Sequence, residues 1–250
     1  MRGDRDQGAA EGADGGADGG ADQGEREVRP GVRWRAVAPG DAPVLSVLCR
    51  LTGDSGRDAG ARTAFPDLLG DVYAAPYAHA YATGGPEGTS FGTLVLDGAG
   101  PAGYVLGCRD TARFEAWREE HWWPALRRRY PRPQDGHLGS FDEPLLRTVH
   151  EGVRPDPLWA ERPASHPSHL HVDLLPRLQG RGLGRLLVER VCAQLAAAGS
   201  PGVHLGVSAA NPGAVAFYRR TGFTELDRSP TGHTFGRVLS PPDPPVASPG

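Results

Sequence analysis

The most regular patterning in the chain runs from His169 to Phe223. Residues 169–174 (HLHVDL) alternate with a period of two. That predicts a strand with His169, His171 and Asp173 on one face and Leu170, Val172 and Leu174 on the other. The glycine-rich turn Gln179-Gly180-Arg181-Gly182-Leu183-Gly184 comes next. Leu183, Leu186, Leu187, Val191 and Leu195 then recur at helical spacing, so the turn opens an amphipathic helix. A second strand and a second helix complete the stretch.

Upstream, residues 31–38 (GVRWRAVA) alternate well enough for a first strand. Pro39-Gly40-Asp41 turns the chain, with Asp41 placed to cap a helix and Pro43 in its first turn. Val44, Leu45, Leu48 and Leu51 supply that helix's apolar stripe, and residues 52–61 read as loop. The aromatic-rich segment around residues 65–77 shows no clear period. Residues 90–97 and 102–109 predict two strands joined by Gly98-Ala99-Gly100-Pro101. A helical insert follows: residues 111–129 carry Phe114, Trp117, Trp122 and Trp123 at helical spacing, and residues 141–152 form a second helix. Closing strands are expected at 223–226 and 233–239. The order predicts an α/β fold, a mixed central sheet flanked by helices, in one domain from about 31 to 239. Residues 1–29, rich in Gly, Ala, Asp and Glu, and the Pro-rich residues 240–250 lack any apolar period and are expected to be unfolded tails.

Composition narrows the picture. The net charge of −3 gives no footprint for nucleic acid. All 27 basic residues are arginine, so any lysine this chain modifies must lie on another molecule. The three cysteines (Cys49, Cys108, Cys192) are odd in number and widely spaced, which disfavours a disulfide framework or a structural zinc site. Cys192 falls on the apolar side of its helix and reads as a small buried hydrophobe. With no apolar leader and no run of about 18 apolar residues, a soluble cytoplasmic protein with no membrane partner is expected.

The glycine turn sets the chemistry. A P-loop requires lysine, which the chain lacks, and a dinucleotide fingerprint fails because Arg185 stands where the third glycine belongs. What remains is Q-x-x-G-x-G, here Gln179, Gly182 and Gly184, between a strand and a helix. Such a turn offers unpaired N–H groups to a phosphate, and Arg181 and Arg185 add charge. This motif resembles that of the GNAT superfamily of N-acetyltransferases. Ala209-Ala210-Asn211-Pro212, Ala216-Phe217-Tyr218 and Gly222-Phe223 match its second signature, and the segment from Arg33 to Asp41 its usual first strand and turn. Pro66 to Asp71, Gly103 to Gly107, Trp122-Trp123-Pro124 and His171-Val172-Asp173 are similar to a narrower subgroup. That subgroup is the acetyltransferase-like C-terminal domain of O-GlcNAcase and its free-standing bacterial relatives. The eukaryotic members have an eroded glycine turn; here it is intact.

The resemblance implies a GNAT fold with the helical insert before the coenzyme-binding strand, and acetyl-CoA as co-substrate. It implies that the backbone of Val172, Asp173 and Leu174 pairs with the pantetheine like an added strand. Gln179, Gly180, Arg181, Gly182, Leu183, Gly184 and Arg185 are implied to hold the pyrophosphate, and Asn211 to touch the pantetheine. Asn211 followed by Pro212 also makes a good helix cap. Tyr218 occupies the position of the acid that protonates the leaving thiolate. Asp173, nearest the turn, is the first choice for acceptor binding or general base. Three ionisable groups on a central strand are costly unless they face a cleft. His-x-His-x-Asp also has a metal-binding spacing, but direct acetyl transfer needs no metal and none is expected. Tyr73, Tyr77, Trp122 and Trp123 suit either the wall of an acceptor cleft or the core. The expected activity is acetyl transfer to an amine, on a protein lysine or a small molecule. The alternatives are a non-catalytic coenzyme A-binding module and an acyltransferase for longer groups. The sequence fixes neither acceptor nor oligomeric state.

Overall fold

A computed structural model describes residues 24–82, 90–152 and 164–240 of the chain. Its frame is one eight-stranded sheet in the order β1-β2-β3-β4-β5-β6-β8-β7. The strands are β1 (Arg26–Arg29), β2 (Val32–Ala36), β3 (Ser90–Asp97), β4 (Gly100–Cys108), β5 (Ser168–Leu174), β6 (Gly202–Ser208), β7 (Thr224–Arg228) and β8 (Gly232–Val238). All neighbours pair antiparallel except β5 and β6. The expected mixed sheet flanked by helices is what the chain forms.

The folded part begins earlier than the sequence suggests. Arg26–Arg29 lies inside the stretch expected to be an unfolded tail, yet it pairs with β2, Arg26 opposite Trp34. Its alternation is masked because nearly every residue there is exposed, as an edge strand allows. The expected tails at 1–23 and 241–250 lie outside the described residues.

Helix α1 (Ala42–Thr52) starts where expected, but Asp41 does not cap it. Its carboxylate instead takes Arg35 at 2.6 and 2.7 Å and the Ala38 N–H at 2.7 Å, tying the end of β2 to the turn. The aperiodic aromatic segment forms two short helices, α2 (Leu68–Tyr73) and α3 (Ala75–Ala82). They show little polar stripe because most of their positions are buried: Leu68, Val72, Ala74, Tyr77 and Ala78 are all core, while Tyr73 and His79 are exposed. Gly70 lets α2 approach α1 closely, since a Cβ there would sit 2.4 Å from Ser46 Cα.

The insert comprises α4 (Thr111–Trp117), a π-helical turn (Arg118–Trp122), α5 (Trp123–Arg129) and α6 (Glu143–Glu151). Arg118 is buried: its guanidinium bonds Val72 O at 2.9 Å, pairs with Glu115 and lies 4.5 Å from the centre of the Trp123 ring. Those contacts replace the water it has lost. Helix α7 (Leu183–Ala197) packs on the opposite face of the sheet, over β3, β4 and β5, while α8 (Pro212–Arg220) follows β6. Gly107 permits the α7 approach, because a Cβ there would meet Val191 Cγ2 at 2.5 Å. All three cysteines are buried, Cys192 on the packed side of α7.

Candidate active site

The central feature is an opening between β5 and β6. Their parallel pairing is confined to Ser168 with Val203 and His169 with His204. Beyond that point β5 stays with β4 as far as Leu174, and β6 stays with β8 as far as Ser208. Each strand is held by its outer neighbour, and the two inner edges diverge. Leu175 N–H donates to Ala102 O on the β4 side, so by the two-residue period the backbone of Val172 and Leu174 faces the opening. Asp173, counted with them in the sequence reading, turns its backbone towards β4. Leu174 O already accepts from Gln179 Nε2 at 2.8 Å, which fastens the strand end to the turn.

The turn continues this edge. Gly180 and Gly182 take φ of 71° and 78°, the left-handed region that glycine adopts without strain. From Gly180 to Arg185 no backbone N–H has an acceptor among the described residues; the helical ladder starts with Leu186 N–H on Gly182 O. The Arg181 and Arg185 side chains are exposed and make no ion pair among the described residues. An anion at this end of α7 meets N–H groups, the positive end of the helix dipole and two guanidinium groups. Leu183 contributes its backbone only, because its side chain is core. Gly184 has a packing role that its motif position did not reveal: a Cβ there would lie 3.3 Å from the Phe217 ring.

The pleat of β5 is regular, with unshifted register against β4 from Cys108–His169 to Gly103–Leu174. His169, His171 and Asp173 therefore share the face under α1–α3, as their alternation predicts. They are not equivalent. His169 is engaged at both nitrogens, by the Tyr77 hydroxyl and by Thr111 Oγ1 at 2.8 Å, and burial holds it neutral, far below the usual range. His171 lies among the rings of Tyr73, Tyr77 and His169, and burial drives it down to about 4. Asp173 accepts from the Tyr104 hydroxyl at 2.5 Å; burial raises its carboxyl, partly offset by bonds from Tyr104 and Thr52. Tyr104 and Thr52 were not singled out from sequence, since only the strand register puts Tyr104 opposite Asp173.

Tyr218 lies on α8 with its ring among Phe217, Phe223 and Phe235. Its hydroxyl has no hydrogen-bond partner among the described residues, yet it is not among the fully buried orphaned atoms, so it reaches open space. Burial and then the Asp173 charge push its phenol up, which keeps it protonated. Asn211 caps α8, its Oδ1 accepting from Ala214 N–H at 3.0 Å, and its amide nitrogen stays available. Of the four aromatics with two readings, Tyr77 and Trp123 are core. Trp122 is half-buried with its indole N–H on Asp71 O at 2.8 Å, and Tyr73, 39% exposed, is the one that faces outwards. Among the described residues no cluster of three His, Cys, Asp or Glu side chains is placed to hold a metal, and no helix is long and apolar enough to cross a membrane.

The chain that builds this opening and glycine turn has relatives among known proteins. Residues 152–223 match the acetyltransferase (GNAT) family. Over 125 residues the chain is 34% identical to mycothiol acetyltransferase of Beutenbergia cavernae, 43% of this chain and 42% of that protein, so it spans less than half of that relative's length. The crystal structure of SsHAT superposes with a TM-score of 0.72 and 36% identity, over 84% of this chain and 98% of that one. On the sequence motifs, the strand arrangement and these matches together, the chain belongs to the GNAT superfamily of acetyltransferases.

Proposed function

We propose that the protein transfers an acetyl group directly from acetyl-CoA to an amine held in the same complex. The observation that carries this reading is the β5–β6 opening continuous with the unpaired N–H groups of residues 180–185. A pyrophosphate fits the turn, and an extended pantetheine fits the free edge of Val172 and Leu174 as an added strand. On this reading a Val172 or Leu174 N–H also steadies the oxyanion as the thioester carbonyl becomes tetrahedral. The amine nitrogen bonds to the carbonyl carbon, the carbon–sulfur bond breaks, and the products are an amide and the coenzyme thiol. Tyr218 gives its hydroxyl proton to the departing sulfur and recovers one from the amine by way of solvent. Asp173 serves on the acceptor side, its orientation fixed by Tyr104. The substrate of mycothiol acetyltransferase is not carried over, because the shared stretch is under half of that protein.

The test is thiol release from acetyl-CoA across a panel of amines. Tyr218→Phe is expected to lower kcat by about 100-fold, within the usual range for loss of a general acid, with little change in KM for acetyl-CoA. Equal kcat in wild type and Tyr218→Phe removes that residue from the mechanism. Binding of acetyl-CoA without thiol release on any amine would favour a non-catalytic binding module.

A further inference from the structure

The opening between β5 and β6 has a direction. Its closed end is the fork at His169 and His204, the last pair the two strands share, and its open end is the glycine turn that follows Leu174. A pantetheine that leaves the turn and pairs with Leu174 and then Val172 runs towards the fork, so the sulfur end of the coenzyme lies deepest. On the face under α1–α3, the first β5 side chain past the fork is His171. Asp173 stands one pleat nearer the turn, roughly 7 Å along the strand. Helix α7 covers the other face of β5, which leaves the α1–α3 side for the acceptor.

His171 also differs from its neighbours in having nothing to hold. His169 is engaged at both nitrogens, and the Asp173 carboxylate takes the Tyr104 hydroxyl. Neither ring nitrogen of His171 has a hydrogen-bond partner among the described residues. The residue is half-buried and neither nitrogen is among the fully buried orphaned atoms, so both reach open space. The rings of Tyr73, Tyr77 and His169 fix the plane of the imidazole and leave its lone pair free. Burial and then the Arg118 charge keep that lone pair unprotonated, and they disfavour an imidazolium that stays in place.

We propose that His171 is the catalytic residue on the acceptor side: a free ring nitrogen accepts a hydrogen bond from the acceptor amine and takes its proton as the carbon–nitrogen bond forms. The inference rests on the acetyl-transfer reading and adds the first destination of the amine proton, leaving Asp173 to bind the acceptor. The amine enters uncharged. Once bonded to the carbonyl carbon its nitrogen is an acylated ammonium, far more acidic than before, so even an imidazole held neutral by burial takes the proton. Breaking of the carbon–sulfur bond then leaves the amide and a thiolate that Tyr218 protonates. The proton on His171 passes to solvent, from which Tyr218 is restored.

The test measures amide formed by the full chain from acetyl-CoA and the amine that wild type acetylates fastest, in wild type, His171→Gln and His171→Ala. Both variants should lose about 100-fold in kcat while their affinity for acetyl-CoA, measured by calorimetry, stays unchanged. Added imidazole should restore turnover to His171→Ala, whereas pyrazole, of the same size but far less basic, should not. Wild-type kcat in His171→Gln, or equal rescue by pyrazole and imidazole, overturns the proposal. If neither variant folds, the ring nitrogens of nitrogen-15-labelled wild type decide. Adding the amine to the protein bound to coenzyme A must shift a His171 nitrogen signal, and unmoved signals overturn the proposal. Absence of amide from every amine in wild type would instead overturn the acetyl-transfer reading itself.

Discussion

Asp173 combines a stability cost with a proposed use. Its carboxylate is desolvated under α1, and the bonds from Tyr104 and Thr52 only partly compensate, so its pKa is raised. Asparagine at this position still accepts from Tyr104 but carries no charge. Asp173→Asn is therefore expected to raise Tm by about 2–4 °C, the shift that accompanies about 1 kcal/mol in a chain of this length. Turnover should fall at least tenfold while acetyl-CoA binding is spared. A lowered Tm with unchanged turnover would show that the carboxylate is structural. The histidines on this face act in the opposite sense. His171 and His204 fall from an ordinary 6.5 to about 4, mainly by burial. Between those values the unfolded chain binds more protons than the folded one. Their contribution is complete above about 6.5 and is lost as the pH falls towards about 4. The raised Asp173 carboxyl opposes this trend, but it is one group against three, since burial lowers His169 as well. Urea unfolding should therefore give a lower free energy at pH 5 than at pH 7, and equal values would contradict the burial of both imidazoles.

At the scale of elements, the stretch from β5 to α8 was legible because each of its signals is local. The alternation of residues 169–174, the glycines of the turn and the Leu/Val stripe of α7 each follow from a period or a backbone requirement. Elements defined by their surroundings were not legible. Helices α2 and α3 are buried at most positions and so carry no clear period, and Asp41 does not cap α1 because Arg35 and the Ala38 N–H take its carboxylate. Nor could Gly184 be known as a contact with Phe217 before α7 and α8 were placed together. The glycine turn itself separates strain from occupancy. Gly182 has φ of 78° with open space around it. Gly182→Ala should thus cost about 1–2 kcal/mol for the left-handed conformation alone and leave acetyl-CoA binding measurable. Gly182→Trp should show a similar loss in Tm but no binding, since the ring fills the path to the N–H groups. If alanine abolishes binding as completely as tryptophan, the turn is needed for folding of the site and not for room.

For the whole molecule, the class of fold could be read from the order of strands and helices, but the site could not. The opening exists because β5 and β6 share only Ser168–Val203 and His169–His204 before β4 and β8 draw them apart, a relation among four strands distributed over 139 residues from 100 to 238. No window of sequence contains it. The same holds for Tyr104 beneath Asp173. The account depends on that opening and its turn forming a single coenzyme site. Calorimetric titration of the wild-type chain with acetyl-CoA tests this most directly. The account predicts saturable binding with one site per chain, a matching rise in Tm, and loss of both in Gly182→Trp. No heat and no thermal shift in the wild type, or full binding in Gly182→Trp, would contradict it.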